Sequence, residues 1–304
     1  MMKIITNIQS SASQLDLSFG DRVGGFVSLI RPVFFVLTPV NAAAAVVLAL
    51  GGFPAPAKCV FGFLAVAFAS CAVNVFNDYV DRERDKTVWP HRPIPGGRVK
   101  SNEALLVAIV SLTVSLTITW FAFNPATFYI LLLAMVLGGL YSVYLRDRIG
   151  YLSLPPIVGL IYLGGWAAFS PGTLFTSWLP WYLYLIGVVW QTAHIMIYYP
   201  LHVVPGRENP RALIFRPSAR TAVITGIVFT VLTILSGGLL PLAASDLGVL
   251  YVVLVIAAGI YALVSGFKFY KDTKERKRGV AAFTALSVFR LVISAAILIS
   301  ILVT

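Results

Sequence analysis

The chain has 304 residues, of which 59% are hydrophobic and 12% charged, and it carries a formal net charge of +11. Soluble domains carry roughly 25% charged residues, so this composition excludes an ordinary water-facing globule. The positive charge alone would suit a nucleic-acid binder, but most of the basic residues cluster in short loops on one side of long apolar runs, which argues against that partner.

Residues 1–22 are mixed polar and lack an apolar stretch before a small-residue cleavage site, so the expectation is a short cytoplasmic lead, not a cleavable signal. Apolar runs then predict nine transmembrane helices at 26–50, 57–80, 102–122, 124–145, 152–170, 180–200, 220–242, 247–270 and 281–303. A bilayer core about 30 Å thick takes about 20 helical residues to cross. The runs are continuously apolar, not alternating, which favours a helical bundle over a barrel. The fold class is therefore all-α and polytopic: one membrane domain over 23–304, around a central lipid-accessible cavity.

Clusters of Lys and Arg follow the second, fourth, sixth and eighth spans, whereas the opposite side has Lys58 and almost nothing else. This asymmetry predicts that the N-terminus and the even-numbered loops are cytoplasmic. Cys59 and Cys71 are read as small apolar fillers of the second span, since no disulfide or zinc spacing is present.

The end of the second span is unusual. Asn74, Asp78, Asp81 and Asp85 fall at about 0°, 40°, −20° and 20° around a helix. Asn77 borders this stripe and Glu83 points away from it. A merely solvated helix end would not need its acids on one face, and three carboxylates there repel one another. Hard oxygen ligands in this number suit Mg²⁺, which takes few carboxylates and completes its shell with phosphate oxygens. The loop that follows, from Val88 to Val99, contains three prolines and two glycines and is predicted to be rigid and non-helical. Its Arg92 and Arg98 are candidates for phosphate oxygens, because a guanidinium binds anions through two parallel bonds.

These residues carry a resemblance. Asn77-Asp78-x-x-Asp81-x-x-x-Asp85, followed by Arg92-Pro93-Ile94-Pro95-Gly96-Gly97-Arg98, resembles the first aspartate motif and loop of the UbiA superfamily of intramembrane prenyltransferases. Arg31-Pro32 in the first span resembles the family's Arg-Pro pair, and Tyr141-Ser142 with Arg146 resembles its Tyr-Ser and basic residue after the fourth span. The loop is most similar to those of archaeal lipid and chlorophyll-type members. The resemblance implies an allylic prenyl diphosphate donor, Mg²⁺ as cofactor on Asn74, Asp78, Asp81 and Asp85, and a lipid- or quinone-type acceptor. It implies catalytic roles for Asp78, Asp81, Asp85 and Arg92. Substrate contacts are expected from Arg31, Asn74, Asn77, Arg98, Tyr141 and Arg146. Membrane lipids are the surrounding partner.

The pattern breaks at the sixth span. The family has a second aspartate-rich motif there, whereas this chain reads Trp190 to His202 without an acid. His194, Tyr198 and His202 are spaced i, i+4, i+8 and are the candidates to replace that motif as substrate-binding residues, although Pro200 is expected to disturb the helix. The next loop carries Arg207, Arg211, Arg216 and Arg220 against one acid, Glu208. Arg290, inside the ninth span, is expected either to face a cavity or to snorkel to the interface. The function that follows is Mg²⁺-dependent transfer of an isoprenyl group. The alternatives are a cyclase or another enzyme that uses a prenyl diphosphate, or a non-catalytic lipid-binding membrane protein.

Overall fold

The structure is a computed structural model that describes residues 18–202 and 217–303. Ten long helices follow in order: α1 Phe19–Ile30, α2 Pro32–Leu50, α3 Pro56–Val88, α4 Ser101–Ala122 and α5 Pro125–Leu140, then α6 Pro155–Phe169, α7 Leu179–His202, α8 Ala219–Leu239, α9 Val249–Lys271 and α10 Arg276–Val303. No strand occurs among the described residues.

Taking α1 and α2 as one broken span gives nine, as the sequence predicts. Among the described residues eight are long and apolar enough to cross a membrane. The remaining one, α7, is long enough but diluted by Gln191, His194 and its several Trp and Tyr residues. Prolines at the first turns of α2, α3, α5 and α6 start those helices where an amide donor is not needed. Two boundaries differ from the sequence reading. The first helix starts at Phe19, inside the expected polar lead, so only residues 1–17 of that lead lie outside the described residues. In addition, α7 runs through Pro200 as far as His202, the last described residue before 217: the missing proline amide removes one backbone hydrogen bond, which the packed helix tolerates.

Successive helices pack as neighbours, and α10 returns to pack on both α2 and α7, closing the bundle. The backbones of α2 and α6 approach closely at Gly165. A Cβ on Gly165 would lie 2.5 Å from the Ala42 carbonyl oxygen, so only glycine fits there. The core includes Trp166, Trp190, Tyr251, Phe269 and Phe289, each at most 5% exposed. The outer surface is apolar instead of charged: Phe121, Phe175, Leu242 and Val249 are all at least 80% exposed. That inversion fits lipid as the solvent. Lys58, the lone basic residue of its side, donates to the Ala122 carbonyl at the end of α4 and lies over the Phe123 ring. It acts as a helix cap.

Candidate donor site at the basic end of the bundle

The stripe predicted on α3 is present. Asp78, Asp81 and Asp85 are 5%, 3% and 0% exposed, whereas Glu83 on the opposite side is exposed. Buried carboxylates require partners, and four arginines from four different segments supply them. Each is delivered by a local feature of the backbone.

Arg31 sits at the break between α1 and α2 with φ 54° and ψ 72°, and is the one described non-glycine residue in the left-handed region. Pro32 starts the next helix directly after it. Such a conformation costs about 1–3 kcal/mol and is held only where the surroundings fix it. Here it turns the guanidinium onto Asp78 at 2.5 Å and Asn74 at 3.3 Å. Arg92 comes from the loop after α3. Its Nη1 donates to Asp85 at 2.6 Å and to Asp78 at 3.2 Å, bridging two carboxylates about two helical turns apart. Gly97, at φ 74°, permits the tight turn that brings this loop back under the helix. Arg146 follows a π-helical turn over Tyr141–Leu145, which rotates the end of that helix and aims the side chain at Asp81. It binds Asp81 through two parallel bonds of 2.8 and 2.7 Å. Arg84, three residues along α3, adds a third bond to Asp81 at 2.7 Å.

Four guanidiniums therefore face three buried carboxylates, and the partly exposed Asp147 lies 3.5 Å from Arg146 at the edge of the cluster. Burial works against the charge on Arg92, but Asp78 and Asp85 outweigh it and hold its pKa above the ordinary value. Asn77 donates to Ser142 at 3.1 Å, tying α3 to the π turn. Two basic segments meet at this end: Trp89 has Arg92 at 5.7 Å from its ring and Arg276, from the start of α10, at 4.6 Å.

This cluster forms the mouth of a cavity of about 900 Å³. Arg31, Asn74, Asn77, Asp81, Arg84, Arg92, Tyr141 and Arg146 line its polar end. The remainder runs between α2, α3, α5 and α6 past apolar residues such as Val46, Phe63, Leu131 and Ile161. Asp78 and Asp85 lie just behind the arginines. His194 and Tyr198 also line the cavity, from α7. His194 is held by Ser287 at 3.1 Å and stacks between Trp190 and Phe283, with centroids at 4.6 and 4.2 Å. The side chain of His202 lies outside the described residues, as do Arg207, Glu208, Arg211 and Arg216.

The structure does not bring Arg98 to the cavity. It donates to the His91 carbonyl at 2.8 Å and braces its own loop. Arg84 was missed as a site residue, because in sequence its charge is indistinguishable from the topology-setting basic residues around it. Its i+3 spacing from Asp81 is the signal that would have found it.

The donor set fits a hard divalent cation. Oδ1 of Asp85 is buried without a hydrogen-bond partner, with Arg84 Nε at 3.7 Å. Among the described residues no three His, Cys, Asp or Glu side chains converge closely enough to cage a metal alone. A closed zinc-type site is thereby disfavoured. An open arrangement suits Mg²⁺, which leaves most of its shell to phosphate and water oxygens. Asn74, Asp78, Asp81 and Asp85 are the residues that would hold it.

The chain is similar to known proteins in sequence and in fold. The chain is 25% identical over 279 residues to protoheme IX farnesyltransferase of Paenarthrobacter aurescens, covering 88% of this chain and 84% of that one. It is 26% identical over 260 residues to digeranylgeranylglyceryl phosphate synthase of Thermococcus sibiricus, covering 84% and 89%. The fold matches a UbiA homologue from Archaeoglobus fulgidus solved with GPP and Mg²⁺, at a TM-score of 0.60 and 16% identity, over 90% of this chain and 99% of that one. The model of the UbiA prenyltransferase family matches residues 37–291, which include the aspartate stripe, Arg84, Arg92, Arg146 and Arg290, and the chain belongs to that family.

Proposed function

We propose that the arginine–aspartate cluster binds the diphosphate of an allylic prenyl donor together with Mg²⁺, and that the prenyl group passes to a lipophilic acceptor bound in the same cavity. The observation that carries this reading is the continuity of an arginine-rich mouth with an apolar cavity of about 900 Å³. A diphosphate and a hydrocarbon chain need those two environments side by side. The cavity lies within the usual range for small-ligand sites of about 300–1,000 Å³.

Mg²⁺ bound at the aspartate stripe supplies Lewis-acid neutralisation of the leaving diphosphate. The chain's own residues do the rest. Arg31 and Arg92 are placed to exchange carboxylate oxygens for phosphate oxygens, which they bind equally well in pairs. Arg146 and Arg84 keep Asp81 oriented from the opposite side. The C–O bond of the donor breaks with its electron pair going to the diphosphate. The acceptor's nucleophilic atom bonds to the allylic carbon, and its displaced proton leaves with the diphosphate. The apolar walls keep water from the allylic cation. The acceptor is not fixed by kinship, since relatives at nearly equal identity are named for protoheme IX and for digeranylgeranylglyceryl phosphate. The concentration of Lys and Arg at this end supports a cytoplasmic active site.

The test is diphosphate release by the purified protein from geranylgeranyl diphosphate, with and without Mg²⁺ and a membrane lipid extract. Release that needs both supports a transferase. Release without the extract would instead favour cyclisation or hydrolysis, and neither release nor donor binding would refute the reading.

A further inference from the structure

Arg290 is not used by the chemistry above. It lies midway along α10, fourteen residues from Arg276 at the basic end, yet it lines the same cavity. Its Nε and Nη2 are buried without a hydrogen-bond partner. No described carboxylate lies within ion-pairing distance of it, in contrast to Arg31, Arg84, Arg92 and Arg146. The guanidinium rests on the Trp190 ring at 4.5 Å, with the Tyr162 ring at 6.0 Å. An aromatic face supports the charge but accepts none of its in-plane N–H groups. An arginine at this depth is costly and normally faces a partner.

Its position relative to the donor site follows from the helices. Ser294, one turn beyond Arg290, donates to Asn41 on α2 at 2.9 Å. Asn41 is about 15 Å deeper than Arg31 at 1.5 Å per residue, and Arg290 lies about 6 Å back towards the mouth. The backbones of Arg31 and Arg290 are thus offset by about 9 Å along the bundle axis, so Arg290 is rooted deeper in the cavity than the arginines of the mouth, on the side expected to hold the prenyl chain. An uncompensated positive charge there opposes formation of an allylic cation. Snorkelling does not relieve it, because the side chain is packed on Trp190 inside the cavity.

Resting on the prenyltransferase reading, we infer that Arg290, seated on Trp190, is the recognition site for an anionic group, a carboxylate or a phosphate, carried by the acceptor. The anion supplies the missing hydrogen-bond acceptors, and its charge cancels that of Arg290 where the cation develops. His194, fixed by Ser287 and stacked on the same Trp190, forms the adjoining wall. The chain in this way selects an acidic acceptor without any acidic motif on α7.

The experiment uses the full chain in nanodiscs, with empty discs subtracted, and radiolabelled dodecanoate, dodecyl phosphate and dodecanol as probes of equal tail. The expected result is that one or both anions bind at least about tenfold more tightly than dodecanol, the stronger of the two naming the headgroup. Arg290→Gln brings that preference to within about twofold. Arg290→Lys keeps the charge and holds it within about threefold of wild type. No preference in the wild type, or an undiminished one in Arg290→Gln, overturns the inference, since any anion would then sit on the arginines of the mouth. Should Arg290→Gln not fold, Arg290→Lys decides: loss of the preference with dodecanol binding unchanged overturns the electrostatic basis. Mg²⁺-dependent geranyl diphosphate binding is measured on the same discs. Loss of donor affinity with the anion preference retained assigns Arg290 to the diphosphate and also overturns the inference. A wild type that binds no donor but shows the Arg290-dependent preference refutes the donor reading alone.

Discussion

Asp81→Asn removes the charge that two arginines share while leaving the shape of the side chain intact. The consequences for those arginines are unequal. Arg84 is 42% exposed and can turn to water. Arg146 is 8% exposed and keeps only the Ser142 carbonyl at 3.2 Å and Asp147 at 3.5 Å. Leaving one partner of a buried pair uncompensated costs about 3–5 kcal/mol; with Asp147 still 3.5 Å from Arg146, the loss expected for Asp81→Asn is the lower end of that range, about 3 kcal/mol. The reverse change, Arg146→Gln, is milder, because Asp81 keeps Arg84 at 2.7 Å. Its cost should be that of lost charged hydrogen bonds, about 1.5–3 kcal/mol. In the double variant both buried charges are gone, so its stability should be no lower than that of Asp81→Asn alone. Unfolding in mixed detergent and SDS micelles, followed by circular dichroism, measures all three. A loss in Arg146→Gln as large as in Asp81→Asn, or single losses that simply add in the double variant, would refute the assignment of Asp81–Arg146 as a coupled buried pair.

Further outcomes are expected. Arg92→Gln should reduce turnover of the donor about 10²–10³-fold, the loss typical of one preorganised donor to a developing anion; steady-state diphosphate release measures it. Gly165→Ala places a methyl group against the Ala42 carbonyl and should cost about 1–3 kcal/mol of stability, seen as a lower thermal midpoint in detergent. His194→Phe keeps the stack between Trp190 and Phe283 but loses the Ser287 bond, so stability should fall by only about 0.5–1.5 kcal/mol, and a larger drop would mean that the histidine has a further structural partner.

Much of this was legible in the sequence because two periodicities coincide. Apolar runs of membrane length mark the spans, and the 3.6-residue period places Asn74, Asp78, Asp81 and Asp85 on one stripe whatever the tertiary structure. Arg31 and Arg146 were legible only through resemblance. What brings them to the aspartates is a left-handed residue and a π turn, and neither has a compositional signature. Arg98 and Arg84 exchanged their expected importance for a related reason. Which arginine of a basic loop points inward depends on how that loop folds back, and Gly96 and Gly97 fold it so that Arg92 enters and Arg98 braces. Pro200 does not break α7 within the described residues, since a proline removes only its own amide bond to the preceding turn. For Arg290, sequence gave two opposed readings, cavity or interface, and the seat on Trp190 inside the cavity distinguishes them.

The most direct test of the donor site is equilibrium binding of geranylgeranyl diphosphate to the wild type and to Asp78→Asn, with Mg²⁺ and after chelation. Asp78 is the carboxylate on which Arg31 and Arg92 meet. The account predicts tight binding by the wild type that is lost on chelation and restored by Mg²⁺, and a weakening of at least about tenfold in Asp78→Asn. Binding that is indifferent both to the metal and to Asp78 would contradict it.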